Sequence, residues 1–78
     1  MPRRVTSRIR ELRTALVDKF GDEAFGVRTC AERAHISERS WWSYERGDAM
    51  PPADVAVRIA DVLGVTVRQL DLRREPDP

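Results

Sequence analysis

The sequence predicts an all-α chain, a compact bundle of five helices over about residues 6–19, 27–34, 38–46, 52–63 and 67–72. Three observations carry that expectation. Val5, Ile9, Leu12, Leu16 and Phe20 recur at spacings of four, three, four and four, which is one face of a helix. Ser37 to Gly47 opens on a hydroxyl that can cap a helix N-terminus and closes on the residue that most readily takes a left-handed turn. Ala56, Ile59, Ala60 and Leu63 make a further apolar stripe, and Gly64 stops it.

Taken in order, Met1 to Arg4 reads with Val5 as a basic, flexible arm, and Thr6 or Ser7 can cap the first helix. Gly21 to Gly26 then breaks the periodicity, with Phe25 the residue there expected to dip into the core. The second helix turns Cys30, Ala31 and Ala34 inward, small side chains that let a neighbour approach closely. After Gly47 comes a loop through Pro51. Pro52 suits the first turn of the fourth helix, because the N–H it lacks has no partner there anyway, and Asp54 adds a favourable negative charge. Thr66 and Gln69 have capping-box spacing for a short fifth helix carrying Val67 and Leu70. Residues 73–78 hold two prolines and no period, and read as a flexible tail.

Seventy-eight residues make one domain, large enough for a small core and too small for a catalytic cleft plus a cofactor fold. With 41% apolar and 35% charged residues the chain is globular rather than disordered. A single cysteine, Cys30, excludes an internal disulfide and a cysteine-rich zinc site, and its place in a helix pattern gives it a small apolar role. No apolar run approaches the ~20 residues that span a bilayer, and the start is too polar for a signal peptide. A cytoplasmic, nucleoid-associated chain without cofactor, metal or membrane partner is the expectation. One His, one Cys and the absence of a glycine-rich phosphate loop or metal-ligand cluster argue against an enzyme.

The third helix carries the chemistry. At about 100° per residue, Ser40, Trp41 and Tyr44 fall on one side, while Glu38, Arg39, Trp42, Ser43 and Arg46 cover the other. Alone, such a segment is an amphipathic helix with a solvated polar face. Its neighbour changes the reading, because only His35 and Ile36 separate it from the helix at 27–34. Two helices so tightly joined make a helix-turn-helix unit, whose second helix commonly enters the major groove of double-stranded DNA. Arg39, near the helix start, can donate two bonds to guanine, a contact worth ~1 to 3 kcal/mol of discrimination. Glu38 can accept from cytosine, Ser43 is permissive, and Trp42 offers an apolar face for a thymine methyl or the sugar edge.

Net charge is only +1, but the total hides an asymmetry. Residues 1–20 carry six basic against two acidic side chains, and the remainder eight against eleven. Phosphate contacts are therefore expected from Arg3 and Arg4 in the arm together with Arg28, Ser37 and Arg46.

The chain resembles the repressor-like (Xre) helix-turn-helix family over about residues 7–70. The resemblance rests on Arg8-Ile-Arg-Glu-Leu-Arg13, Cys30-Ala31, Ile36-Ser37, Tyr44-Glu-Arg-Gly47 with Pro51, and Ile59-Ala-Asp-Val-Leu-Gly-Val65 with Leu70. It implies a compact five-helix repressor-like bundle in which Glu38, Arg39, Trp42 and Ser43 face bases, Trp41 and Tyr44 seat the reading helix, and Arg13 and Glu45 form a partly buried ion pair. Three positions depart from the family pattern. His35 stands where glycine is usual in the turn, Val27 replaces the polar residue that opens helix two, and the link between helices one and two is about seven residues longer.

A domain of this size covers about one half-site. The expectation is a homodimeric repressor on a palindromic operator, joined through helix five by Val67, Leu70 and Leu72. The alternative is a protein-interaction module, such as an antitoxin or regulator subunit, that uses Trp42 and Glu38 to dock a protein partner.

Overall fold

The structure, a computed structural model, describes residues 5–74. Its helices are α1 (Ile9–Phe20), α2 (Asp22–Phe25), α3 (Val27–Arg33), α4 (Glu38–Arg46) and α5 (Ala53–Leu63), followed by a 3₁₀ turn at Val67–Leu70. Two short strands, β1 (Val5–Thr6) and β2 (Arg73–Arg74), pair antiparallel with Val5 opposite Arg74 and Thr6 opposite Arg73. The fold is a helical bundle around one core.

Local signals set most helix ends. The Ser37 hydroxyl oxygen accepts from Ser40 N at 3.1 Å and caps α4. Thr66 and Gln69 form the full reciprocal capping box, with Thr66 N donating to Gln69 Oε1 at 2.8 Å and Gln69 N to Thr66 Oγ1 at 3.3 Å. At α1 the Ser7 hydroxyl accepts from Ile9 N at 3.1 Å. One turn on, Arg8 and Glu11 form an exposed pair in which the guanidinium hydrogen bond holds the Glu11 carboxyl below its ordinary pKa.

α3, α4 and α5 all end the same way. A residue just past the helix, the first after α4 and α5 and the second after α3, turns to positive φ, its N–H reaches back three residues, and the following N–H reaches back five. At α4 these bonds run from Gly47 N to Tyr44 O at 3.4 Å and from Asp48 N to Ser43 O at 2.9 Å. At α3 they run from His35 N to Glu32 O at 3.1 Å and from Ile36 N to Ala31 O at 3.0 Å, with His35 at φ 58°. Histidine thus occupies the left-handed position in the turn between α3 and α4. Arg58 of α5 braces the same turn by donating its Nε–H to Ala34 O at 2.8 Å.

The core joins Ile9 of α1, Cys30, Ala31 and Ala34 at α3, Trp41 of α4, Val55, Ile59, Ala60 and Leu63 of α5, and Leu70. The small residues of α3 are what allow the large indole of Trp41 to be fully buried against them. Burial raises the pKa of the Cys30 thiol, whose Sγ lies 3.5 Å from Phe25 O, so the group stays neutral.

Several expectations need correction. Val5 and residues 73–74, read as parts of a flexible arm and tail, stand in β1 and β2, with Val5 buried, while the rest of that arm and tail, 1–4 and 75–78, lies outside the described residues. Val5 N also donates to Gly47 O at 2.9 Å, which ties β1 to the end of α4, and a Cβ on Gly47 would collide with the Val5 carbonyl. Thr6 therefore belongs to a strand, and the first helix starts at Ile9. Phe20, read as part of the inward stripe, is 56% exposed because α1 has run past the core by then. The link is not a plain loop: α2 makes one turn inside it, and Gly26 sits so close that a Cβ there would lie 2.6 Å from Asp22 O. Pro52 precedes α5 rather than opening it. Leu70, expected at a dimer surface, is fully buried in the core.

Among the described residues no helix is long and apolar enough to cross a membrane.

Candidate nucleic-acid interface

α4 is presented by two supports on its inner side. Trp41 fills the core, and Glu45, buried, takes a hydrogen bond from the Nε–H of Arg13 on α1. Arg13 reaches on to Phe25 O at 3.4 Å, so one guanidinium links α1, α2 and α4. The cost of desolvating both charges offsets much of their attraction, so the pair ties α4 to α1 without adding much stability. One oxygen of the pair, Glu45 Oε2, is buried with no hydrogen-bond partner among the described residues.

The outer side carries Glu38, Arg39, Trp42 and Arg46 exposed, with Ser43 half-buried between them. All five positions read as outward-facing from helical periodicity lie on one continuous surface. Neither Glu38 nor Arg39 has an ion-pair partner among the described residues, which leaves both heads available for a ligand. The expected phosphate contacts are more committed. Arg46 pairs with Asp48 at 3.2 Å and Arg28 with Glu32 at 3.5 Å, both exposed. Ser37 uses its oxygen to cap α4 and directs its hydroxyl proton to Ser40 Oγ at 3.0 Å, so its side chain has no free donor. Arg3 and Arg4 lie outside the described residues.

Trp42 is a ridge between two depressions. On the α1 side is a groove of about 630 Å³ lined by Arg10, Glu38, Arg39, Trp42, Glu45 and Arg46. On the α2 side is one of about 490 Å³, to which Asp22, Glu23, Glu38, Val27 and Arg28 contribute. The two differ in sign. The first has three arginines, of which only Arg46 is paired, with Asp48, and one of its two glutamates is already neutralised by Arg13. In the second, three carboxylates face arginines that are themselves paired.

Arg10 was not singled out by the sequence, although a signal existed. It stands three residues before Arg13, on the same side of α1, and Arg13 touches α4.

No group of three metal-binding side chains converges among the described residues. What the surface can do is donate and accept hydrogen bonds along a convex helix, with arginine as the dominant donor. A convex helix bearing these groups has the shape and the donors to fit a groove in a duplex.

Among curated proteins and solved structures, none matches the chain. A family model for a helix-turn-helix domain matches residues 5–73, which takes in both strands up to Arg73, all five helices and the 3₁₀ turn. With α3, the His35 turn and α4 forming the two-helix unit at its centre, the chain belongs to the helix-turn-helix domain family of DNA-binding domains.

Proposed function

We propose that this protein is a sequence-specific transcriptional regulator, a cytoplasmic repressor that binds a palindromic operator as a homodimer and has no catalytic role. The observation that supports it best is Arg39: exposed, free of ion-pair partners among the described residues, and on the first turn of α4. Recognition helices place their N-terminal residues against base edges, and an unpaired arginine there has no competing carboxylate to leave. Glu38 and Ser43 complete the polar readout, with Trp42 set for a thymine methyl or a sugar edge. Two half-sites ~34 Å apart, or a multiple of that, follow from two copies on one face of the duplex. Of the residues first assigned to the dimer surface, Val67 is exposed and Leu72 half-buried, and these two edge residues remain candidates.

The test is selection of bound duplexes from a random pool, with the selected sequence then titrated against Arg39→Ala. Loss of preference at one base position, with weak general binding retained, supports the reading. Trp42, 42% exposed at the centre of the surface, favours a second reading, a protein-interaction module of antitoxin or regulator-subunit type. Duplex binding that is indifferent to Arg39→Ala would put that reading ahead.

A further inference from the structure

We propose that Arg10 of α1 is a phosphate contact, and that the DNA backbone runs along the groove between α1 and α4, not along the α2 side of Trp42. The proposal rests on the DNA-binding reading and adds to it a residue and a polarity of docking.

Three observations converge on it. Arg10 is exposed and has no ion-pair partner among the described residues, yet it lines the same groove as Arg39 and Arg46. A guanidinium with no carboxylate of its own, beside the unpaired Arg39 and the Asp48-paired Arg46, is set to take a phosphate oxygen, and the released counterions supply the binding energy. The carboxylate that would compete, Glu45, is engaged by Arg13 and sealed from solvent. The groove is therefore cationic in effect, although Glu38 stands at its rim.

The opposite side is built against phosphate. The start of α3 is where a helix-turn-helix unit could otherwise offer N–H groups to the backbone of DNA. Here the Asp22 carboxylate lies 3.2 Å from where a Cβ on Gly26 would be, immediately before α3. Glu23 and Glu38 line the same depression, and Val27 supplies no polar head. A phosphate entering there would meet three carboxylates, of which only the arginine pairs already in use could offset the charge. Repulsion of this kind acts over about a Debye length, ~10 Å at 0.1 M salt, so it reaches any strand passing α2. The inserted turn thus moves the phosphate contact across Trp42 to Arg10.

The experiment compares wild type, Arg10→Ala and Arg10→Lys on a selected duplex and a scrambled duplex of equal length, each titrated with salt. For Arg10→Ala the salt slope should fall by about 0.9 on both duplexes. The loss of affinity between about 50 and 200 mM salt then shrinks roughly three- to fourfold. Base preference and the thermal midpoint stay as in wild type, and Arg10→Lys recovers most of the slope. Asp22→Asn combined with Glu23→Gln should bind the scrambled duplex several-fold more tightly at low salt. An unchanged slope in Arg10→Ala overturns the contact, and a loss confined to the selected duplex overturns its phosphate role. Weaker or unaltered binding by the Asp22/Glu23 variant overturns the assigned polarity. Wild type that binds neither duplex sinks the DNA-binding reading itself, whereas wild type that binds beside an unaffected Arg10→Ala sinks only this inference.

Discussion

Trp41 and Trp42 are neighbours in the chain with opposite fates: the first indole is fully buried and the second is 42% exposed. A rotation of about 100° along α4 separates them. Trp41 meets the small residues Cys30, Ala31 and Ala34 and anchors the helix, whereas Trp42 stands out between two depressions of opposite character. The same side chain therefore serves folding at one position and, in the proposed function, recognition at the next. Substitutions on the two sides should separate along that line, with stability lost on one side and binding on the other.

The largest effect belongs to the inner side. Trp41→Ala removes the largest fully buried side chain and leaves a cavity that small neighbours cannot fill, at a cost of about 3 to 5 kcal/mol. For a domain of this size each kcal/mol lowers the melting temperature by about 4 to 8 °C, so circular dichroism should find the variant largely unfolded at room temperature. Trp41→Phe should be far milder, because it also deletes an indole N–H that has no hydrogen-bond partner among the described residues. Trp42→Ala provides the contrast. Its melting temperature should stay near wild type while DNA binding changes, and a Trp41→Ala protein that melts normally would break the comparison.

Next comes the buried pair. Removing only Glu45 or only Arg13 strands a charge in the interior and should cost about 3 to 5 kcal/mol, whereas Arg13→Met with Glu45→Leu should recover most of that loss. Chemical denaturation of the two singles and the double measures the coupling directly. Additive losses would mean that the pair does not act as a unit, and that α4 is oriented by Trp41 alone. If the double variant is stable but binds DNA poorly, the pair's service is to aim the reading face.

On the outer side the expected effects are in binding. Arg39→Ala should reduce discrimination at one base position by about 1 to 3 kcal/mol and leave unfolding within about 0.5 kcal/mol of wild type. Competition between the selected duplex and single-base variants reads the first quantity, and thermal melting the second. A large fall in melting temperature would place Arg39 in the structural half of α4 and erase the division between its sides.

This division was legible in the sequence because it depends on local rules. Ser37, Gly47, Gly64 and the Thr66–Gln69 box mark helix ends through bonds that reach no farther than a few residues, and helical periodicity then sorts Trp41 from Trp42. The features that were missed depend on contacts across the chain. Val5 and Arg74 pair over 69 positions in two-residue strands, too short to show an alternating pattern. α2 is a single turn between two glycines, below the length at which a period can be seen. Leu70 carries the same apolar signal whether it faces the core or a partner, and only the docking of the 3₁₀ turn on α5 decides it. Arg10 escaped for a related reason: its spacing from Arg13 places it on the same side of α1, but that this side meets α4 follows from how the two helices cross.

The smallest effect tests whether the turn that sets the two helices can be altered without touching the reading face. The turns after α4 and α5 use glycine at the left-handed position, with φ 78° for Gly47 and 70° for Gly64, while the turn after α3 uses His35 at φ 58°. The backbone bonds are equivalent in all three, so the comparison isolates the side chain. A left-handed conformation costs a residue with a Cβ about 1 to 2 kcal/mol. Glycine escapes that strain but gives back up to ~1 kcal/mol through the greater freedom of the unfolded chain. His35→Gly should therefore stabilise the fold by about 0.5 to 1 kcal/mol, seen as a rise of a few degrees in thermal melting. His35→Val, β-branched and ill-suited to positive φ, should lower the midpoint instead. The His35 side chain is exposed and absent from both depressions beside Trp42, so duplex affinity and base preference should be unaltered in His35→Gly. A glycine variant that is more stable yet reads a different base would show that the angle between α3 and α4, and not the outward side chains alone, sets the register on DNA.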